Sequence, residues 1–215
     1  MHAAEEVAAA LGRVAADASG AYVLTDLGRL ALRTGLDARY ALAAIAAWRA
    51  YDEAFVLEAL VLAQESTADA VAEGGDAEAR RGKTVLDLQQ AMQSWDATPQ
   101  LARAWKKVQR VRDTLRAAAC PPVSADVAPL VAGFPFHTAR HMRGALYQTV
   151  TGATVRCVGA SNAELQHIVF LQAFQTGRWP DALLHAAITA ADFAHAAQTC
   201  SPLQPRPAYG PVPGG

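Results

Sequence analysis

The densest group of basic side chains lies between residues 101 and 116, where Asp113 is the one acidic residue. The basic members are Arg103, Lys106, Lys107, Arg110, Arg112 and Arg116. Between them, at three- and four-residue steps, stand Leu101, Ala104, Trp105, Val108, Val111 and Leu115. This spacing predicts an amphipathic helix whose charged face is suited to phosphate groups. An ordinary solvated helix surface has the same pattern, so the residues alone leave both interpretations open.

A second basic group follows at His137, Arg140, His141 and Arg143. On a helix, the four-residue spacing would place both histidines on one face, as a metal site requires, but no third ligand stands nearby. Phosphate binding or internal hydrogen bonding is the favoured interpretation, and no metal site is predicted.

Arg156, Arg178 and Trp179 lie further along the chain, in predicted strands or their loops. On a small barrel, such side chains can neutralise and stack on a single-stranded nucleic acid. Trp179 precedes a proline, however, and it equally suits a packed loop anchor.

Sequence motifs for catalysis are missing from these 215 residues. Gly82-Lys83-Thr84 ends like a phosphate-binding loop, but Ala77 occupies the position of the first glycine and no strand precedes it. There is no acidic-acidic-Ala-His run and no GxSxG elbow. We therefore expect no ATPase motor in this chain, no catalytic residue and no cofactor.

Composition places the chain among globular proteins, with 52% hydrophobic and 18% charged residues and a net charge of −1. Nucleic-acid binding must therefore depend on a local basic surface. The three cysteines, Cys120, Cys157 and Cys200, are too far apart for a zinc or disulfide framework. No apolar run approaches the roughly 18 residues that a membrane span needs. These features predict a cytoplasmic protein with reduced thiols and no membrane partner.

The first 120 residues predict helices. One is predicted from Ala3 to Ala16, and two more begin at the capping residues Thr25 and Asp37, with Gly35 between them as a left-handed cap. Later helices are predicted after Asp52, from Val85, and over Pro99–Ala119, with a loop at 66–82.

The pattern changes after Pro121-Pro122, which we take as a domain boundary. A short helix is predicted near Ser124–Val131. Strands are predicted over Leu146–Val150, Thr154–Val158 and His167–Phe174, with Thr151-Gly152 as a hairpin turn. Leu183–Ile188 suits a strand or a helix, and Thr189 begins a closing helix. The sequence thus predicts an α+β fold, an N-terminal helical bundle followed by a small β-barrel.

Five short motifs occur in a fixed order from about residue 20 to 197. They are Leu24–Arg29 with Gly35–Arg39, Tyr51–Ala63, Trp105–Leu115, Val131–Phe134 with Thr138–Arg140, and the set Tyr147, Gly152 and Ser161. In this order they resemble the C-terminal region of DEAH-box RNA helicases. The corresponding family passages are "LTxLGR…PLDPR", "CLDEALTIAALLS", "LxRVRDIRxQL", "AGFFxNxAR" and "Y…G…V.IHPSS".

The resemblance implies a winged-helix remnant or linker at 1–36, a helical ratchet (helicase-associated) domain at 37–120 and an OB-like domain at 123–197. The remaining residues, 198–215, are rich in Pro and Gly and predict a disordered tail. The resemblance also implies a nucleic-acid-binding accessory module of an ATP-dependent RNA helicase. The implied partners are single-stranded RNA or DNA and, in addition, a helicase motor or activator protein. The implied binding residues are Arg103, Lys106, Lys107, Arg110, Arg140, Arg143, Arg156 and Arg178.

Several positions depart from the family pattern. Gly35 and Ala38 replace prolines, Val158–Ser161 replaces "IHPSS", and Arg178 stands one place from the lysine of "YHELVxTxK". The segment Arg81–Asp87 lacks the Asp-His pair of "GDHLTLL". These changes fit an alternative in which a degenerate OB-type module docks a helicase or a cofactor protein.

Overall fold

The computed structural model describes residues 14–19, 21–50, 56–65, 84–93, 99–118, 128–158, 165–175 and 177–200. The first element is an antiparallel hairpin of Val14–Ala16 (β1) and Tyr22–Leu24 (β2). Asp17 orders its turn, because its Oδ1 accepts hydrogen bonds from the N–H of Ser19 and of Ala21. The helix predicted to reach Ala16 is therefore wrong over its last three residues, and the remainder lies outside the described residues.

Two predicted helices follow with the expected caps. Asp26–Thr34 (α1) begins where Thr25 Oγ1 accepts from the N–H of Gly28 at 3.0 Å, and it ends at Gly35, whose φ is 69°. Ala38–Arg49 (α2) begins at Asp37, whose Oδ1 accepts from the N–H of Arg39. Both capping predictions are confirmed.

Three further helices are residues 56–65 (α3), Val85–Gln93 (α4) and Pro99–Ala117 (α5). The apolar stripe predicted for α5 is confirmed, since Ala104, Val108, Val111 and Leu115 are fully buried. None of the described helices is long and apolar enough to cross a membrane.

The second half of the chain forms a closed barrel. Two helices and a 3-10 turn flank its strands: Pro129–Gly133 (α6) and the turn at Pro135–His137 precede them, and Ala190–Cys200 (α7) follows them. The strands are Thr138–Arg143 (β3), Leu146–Thr149 (β4), Thr154–Arg156 (β5), His167–Gln175 (β6) and Pro180–Ala187 (β7). The strands follow the order β3-β4-β5-β7-β6 and close between β6 and β3. All pairs are antiparallel except β5 with β7. The fold is α+β with an OB-like barrel.

Most strand predictions are confirmed, including the turn at Gly152 (φ 87°), and residues 183–187 are in a strand. Strand β3 was missed. The interpretation that His137 and His141 share a helix face is wrong, because His137 ends the 3-10 turn and His141 lies in β3. A helical bundle preceding the barrel, with its domain limits, stays a prediction: the described chain opens with a hairpin, and the double proline is outside the described residues.

Two apolar clusters organise this fold. Tyr147, Val155, Ile168 and Phe170 fill the barrel interior. A larger cluster joins helix residues such as Ile45, Leu60 and Val108 to Leu171 and Leu183 of β6 and β7. The helices thus cover the β6–β7 side, while the outward side chains of β4 and β5 stay partly exposed.

Gly133 allows α6 to lie directly against α2. A Cβ at this position would overlap the carbonyl oxygen of Arg39 and lie 2.9 Å from the Cβ of Ala43. Because both obstacles belong to a packed helix, neither can move aside cheaply.

His137 joins the helices to the barrel just beyond this contact. Its Nδ1 lies 3.1 Å from the carbonyl oxygen of Phe170, so Nδ1 must donate. Its Nε2 then accepts from Nη1 of Arg39, 3.4 Å away, and its ring stacks on that of Phe170. Burial, with the charge of Arg39, lowers the pKa of His137 below its ordinary 6.5 despite hydrogen bonds with the backbone of Phe170 and Leu171.

We expect Gly133→Ala to lower the free energy of unfolding by about 1–3 kcal/mol, because α6 must move away from α2. Urea unfolding measures this change. Gly177→Ala is the matched control, since a Cβ there meets nothing within 4 Å. Equal stability of the two variants would contradict the close contact.

We expect the protein to lose stability as the pH falls below 6.5. The pKa of His137 is lowered in the folded state, so the unfolded chain binds the proton first and the equilibrium shifts toward it. Burial also lowers the pKa of His185, although the charge of Asp87 opposes this shift. The lowered pKa of His185 therefore also reduces the stability of the protein as the pH falls. Unfolding midpoints from pH 8 to 5 should show a weaker dependence in His137→Gln than in His141→Gln. An identical dependence would refute the role of His137.

Candidate nucleic-acid interface

Two basic residues of α5 are neutralised by α3. Lys107 Nζ lies 2.6 Å from Glu65 Oε1, and Arg112 Nη2 lies 3.0 Å from Glu58 Oε1. The Arg112 pair is largely buried, and Arg112 also lies over the ring of Trp105. These two cations therefore tie α5 to α3, and Lys107, a predicted binding residue, has this internal partner.

The remaining cations of α5 lie on its exposed side. Arg103, Lys106 and Arg110 are exposed, and their spacing of three and four residues keeps them on one face. Asp113 is the acidic residue on α5, and it pairs with Arg116 at 3.3 Å. We call the exposed side chains of Arg103, Lys106 and Arg110 the basic stripe.

A second set of predicted residues meets on the barrel. Strand register places Arg140 opposite Gln148, and Gln148 opposite Thr154. Side chains at paired positions share a face of the sheet. Because the intervening Tyr147 and Val155 point into the barrel, Arg140, Gln148 and Thr154 point outward. Arg140 Nη2 donates to Gln148 Oε1 at 3.0 Å, which holds its guanidinium against the strand surface.

The next row along the strands contains an ion pair. Register places Arg143 opposite Leu146, Leu146 opposite Arg156, and Arg156 opposite Asp181. Arg156 binds Asp181 through two hydrogen bonds, Nε to Oδ1 at 2.6 Å and Nη2 to Oδ2 at 3.1 Å. The Asp181 side chain is 1% exposed and that of Arg156 is 39% exposed. Asp181 raises the pKa of Arg156 through these bonds and its charge. The main role of Arg156 is therefore structural, because its charge pairs with Asp181 between β5 and β7.

The tip of the β6–β7 hairpin adjoins this row, because Phe174 pairs in register with Asp181. The guanidinium carbon of Arg178 lies over the ring of Trp179, 4.8 Å from its centroid. Gln175 Nε2 donates to the carbonyl of Gly177. Phe174 is 50% exposed, so this tip combines aromatic surface with a cation.

The histidines and cysteines offer no comparable site among the described residues. His141 Nε2 lies 2.9 Å from the carbonyl oxygen of Gly144, and His137 is held between Arg39 and Phe170. Burial raises the pKa of Cys157 to about 12 and that of Cys200 to about 11, so both thiols stay protonated. Within the described ranges, no group of three His, Cys, Asp or Glu side chains is arranged to hold a metal ion.

The predicted residues thus fall into two surfaces. Arg103, Lys106 and Arg110 form the basic stripe, whereas Arg140, Arg143 and Arg156 lie on the outer surface of the barrel and Arg178 lies in the turn between β6 and β7. The eighth predicted residue, Lys107, pairs with Glu65. That these residues bind nucleic acid stays a prediction. Sequence reasoning missed Gln148 and Phe174. For Phe174, its place at the end of an apolar run, just before the turn that contains Arg178 and Trp179, was the available signal.

The fold is similar to two crystal structures of Escherichia coli HrpB, one described as a DExH-box NTPase and the other as a DEAH/RHA helicase. The first has a TM-score of 0.57 and 18% sequence identity, and the alignment covers 93% of this chain and 22% of that chain. The second has a TM-score of 0.55 and 16% identity, with coverage of 87% and 21%. The chain therefore spans about a fifth of the length of these helicases. At this identity, the likeness concerns the fold alone.

No family model and no curated protein sequence matches the chain.

We expect Arg156→Ala to lower the midpoint of thermal unfolding clearly more than Arg140→Ala, because it leaves the buried Asp181 carboxylate without its ion-pair partner. Replacing Asp181 by Asn in the Arg156→Ala background should restore part of the loss, because the buried charge is removed. Equal midpoints for the two single variants would contradict a structural role for Arg156.

Proposed function

We propose that this chain is a nucleic-acid-binding accessory module of a DEAH-box-type ATP-dependent RNA helicase. The observation that carries the proposal is the exposure of the basic stripe on α5, whereas Lys107 and Arg112 are held in ion pairs with α3. The fold likeness to HrpB supports it, as do the arginines on the outer surface of the OB-like barrel. ATP hydrolysis would belong to a motor outside these residues.

In this proposal, the β1–β2 hairpin and α1 end a winged-helix remnant within 1–36. The helices within 37–120 correspond to a ratchet domain, and 123–197 correspond to the OB-like domain. The partner is single-stranded RNA or DNA in the cytoplasm. Contacts from lysines and arginines to phosphates give affinity that depends on salt and not on base sequence.

A second candidate function is docking of a helicase motor or a cofactor protein. Met142 lies at the irregularity in the β3–β4 pairing and is 51% exposed, so the barrel also presents apolar surface. Contiguous apolar patches rimmed by polar residues mark protein interfaces, and in this alternative Met142 belongs to such a contact. A pull-down from nuclease-treated lysate would retain a protein partner in this case, whereas retention that depends on nucleic acid would favour the first function.

We expect a labelled 12-nucleotide oligouridylate to bind at low salt and to be released as salt rises. For single strands, log K falls with log salt by about 0.7 per phosphate contacted, so three contacts give a slope of about −2. Lys106→Glu with Arg110→Glu should weaken binding at least about 10-fold and flatten the slope. Fluorescence anisotropy at two salt concentrations measures both.

A single charge reversal on another helix controls for net charge. Arg33 is exposed on α1, outside both basic surfaces, so Arg33→Glu matches Lys106→Glu in charge. Absence of binding by the unmodified protein at low salt, or equal loss in Lys106→Glu and Arg33→Glu, would refute the proposal.

A further inference from the structure

We propose that the tip of the β6–β7 hairpin holds an unpaired nucleobase, with Phe174 and the Arg178–Trp179 pair as its stacking surfaces. This inference rests on the proposed function and adds to it a site that recognises bases, where the basic stripe recognises phosphates. Unpaired bases are the ligand class because every base has a flat π-face, and in a duplex these faces are already stacked.

Phe174 supplies exposed aromatic area at the end of β6. It is half exposed, although large aromatic side chains usually bury their surface in a core. Its register partner Asp181 has almost no exposed side-chain surface to offer a ligand, because it is occupied by Arg156. A flat ligand that stacks on Phe174 therefore lies beside Asp181, whose carboxylate is already paired with Arg156.

Arg178 and Trp179 supply the second surface, two residues before the pair formed by Asp181 and Arg156. The guanidinium lies over the indole, and Arg178 is exposed, so its outer face is available for stacking. Bases stack on guanidinium planes as they do on aromatic rings.

The ligand class follows from the chemistry of both surfaces. The ring of Phe174 and the face of the Arg178 guanidinium bind a phosphate less strongly than the charged ends of the basic stripe do. Both surfaces bind the flat π-face of a base by stacking. The barrel should therefore discriminate single-stranded nucleic acid from the same sugar-phosphate chain without bases, and α5 should not.

A comparison of two 12-nucleotide probes tests this inference, oligothymidylate and an abasic oligodeoxynucleotide of the same length and charge. We expect the full chain to bind oligothymidylate about 10-fold more tightly. Phe174→Ala should reduce this preference and leave the affinity for the abasic probe within about two-fold. Arg178→Ala should weaken the binding of both probes, and that of oligothymidylate more strongly, so that the preference also falls. Leu86→Ala and Arg33→Ala are the matched controls, since both side chains are exposed on helices and neither belongs to the β6–β7 hairpin.

A spectroscopic measurement adds a second criterion. Stacking at the tip should quench tryptophan emission when oligothymidylate binds, and Trp179→Phe should abolish the quenching while it retains binding. Equal affinity for the two probes, or a preference unchanged in both Phe174→Ala and Arg178→Ala, would overturn the base site and leave the phosphate-binding function intact. Absence of binding to either probe at low salt would overturn both proposals.

Discussion

Strands β5 and β7 meet at one residue pair, Arg156 with Asp181, and the closure of the barrel depends on this contact. β5 contains three residues, so its backbone contributes few hydrogen bonds to the junction. The bidentate ion pair joins the two strands by their side chains as well. It also fixes the start of β7, and with it the turn that carries Arg178 and Trp179, beside the outer surface of β4 and β5. The candidate interface therefore depends on an ion pair in which Asp181 already neutralises the charge of Arg156.

Local sequence signals were sufficient for much of the fold. Thr25 and Asp37 are capping residues whose side chains reach N–H groups two or three positions away, so their effect is visible in a short window. The stripe of α5 and the β-branched runs of β4 to β6 have the periods of helix and strand. In each case, the residues that determine the structure are close in sequence.

Other features could not be predicted in this way. Strand β3 contains Arg140, His141 and Arg143, and its inward side is built around the small Ala139, so no apolar alternation marks it. The β1–β2 hairpin is rich in alanine, and its residues Tyr22, Val23 and Leu24 are all exposed. Its apolar residues therefore follow neither the helix period nor the strand alternation. Lys107 and Arg112 resemble their exposed neighbours in the sequence. Their partners Glu65 and Glu58 are 42 and 54 residues away, and only the packing of α5 on α3 reveals them.

Charge alone is therefore a poor guide to which cations are available to a ligand. On α5, Lys107 and Arg112 flank the buried stripe and pair with glutamates of α3, whereas Arg103, Lys106 and Arg110 lie on the exposed face. On the barrel, the division follows the strand period, because Arg156 shares a row with Asp181, whereas Arg140 shares a row with the neutral Gln148 and Thr154. A phosphate approaching Arg156 must compete with a buried carboxylate that cannot be rehydrated without opening the barrel. A phosphate approaching Arg140 displaces only a hydrogen bond to an amide. Binding by the barrel should consequently depend more on Arg140, Arg143 and Arg178 than on Arg156.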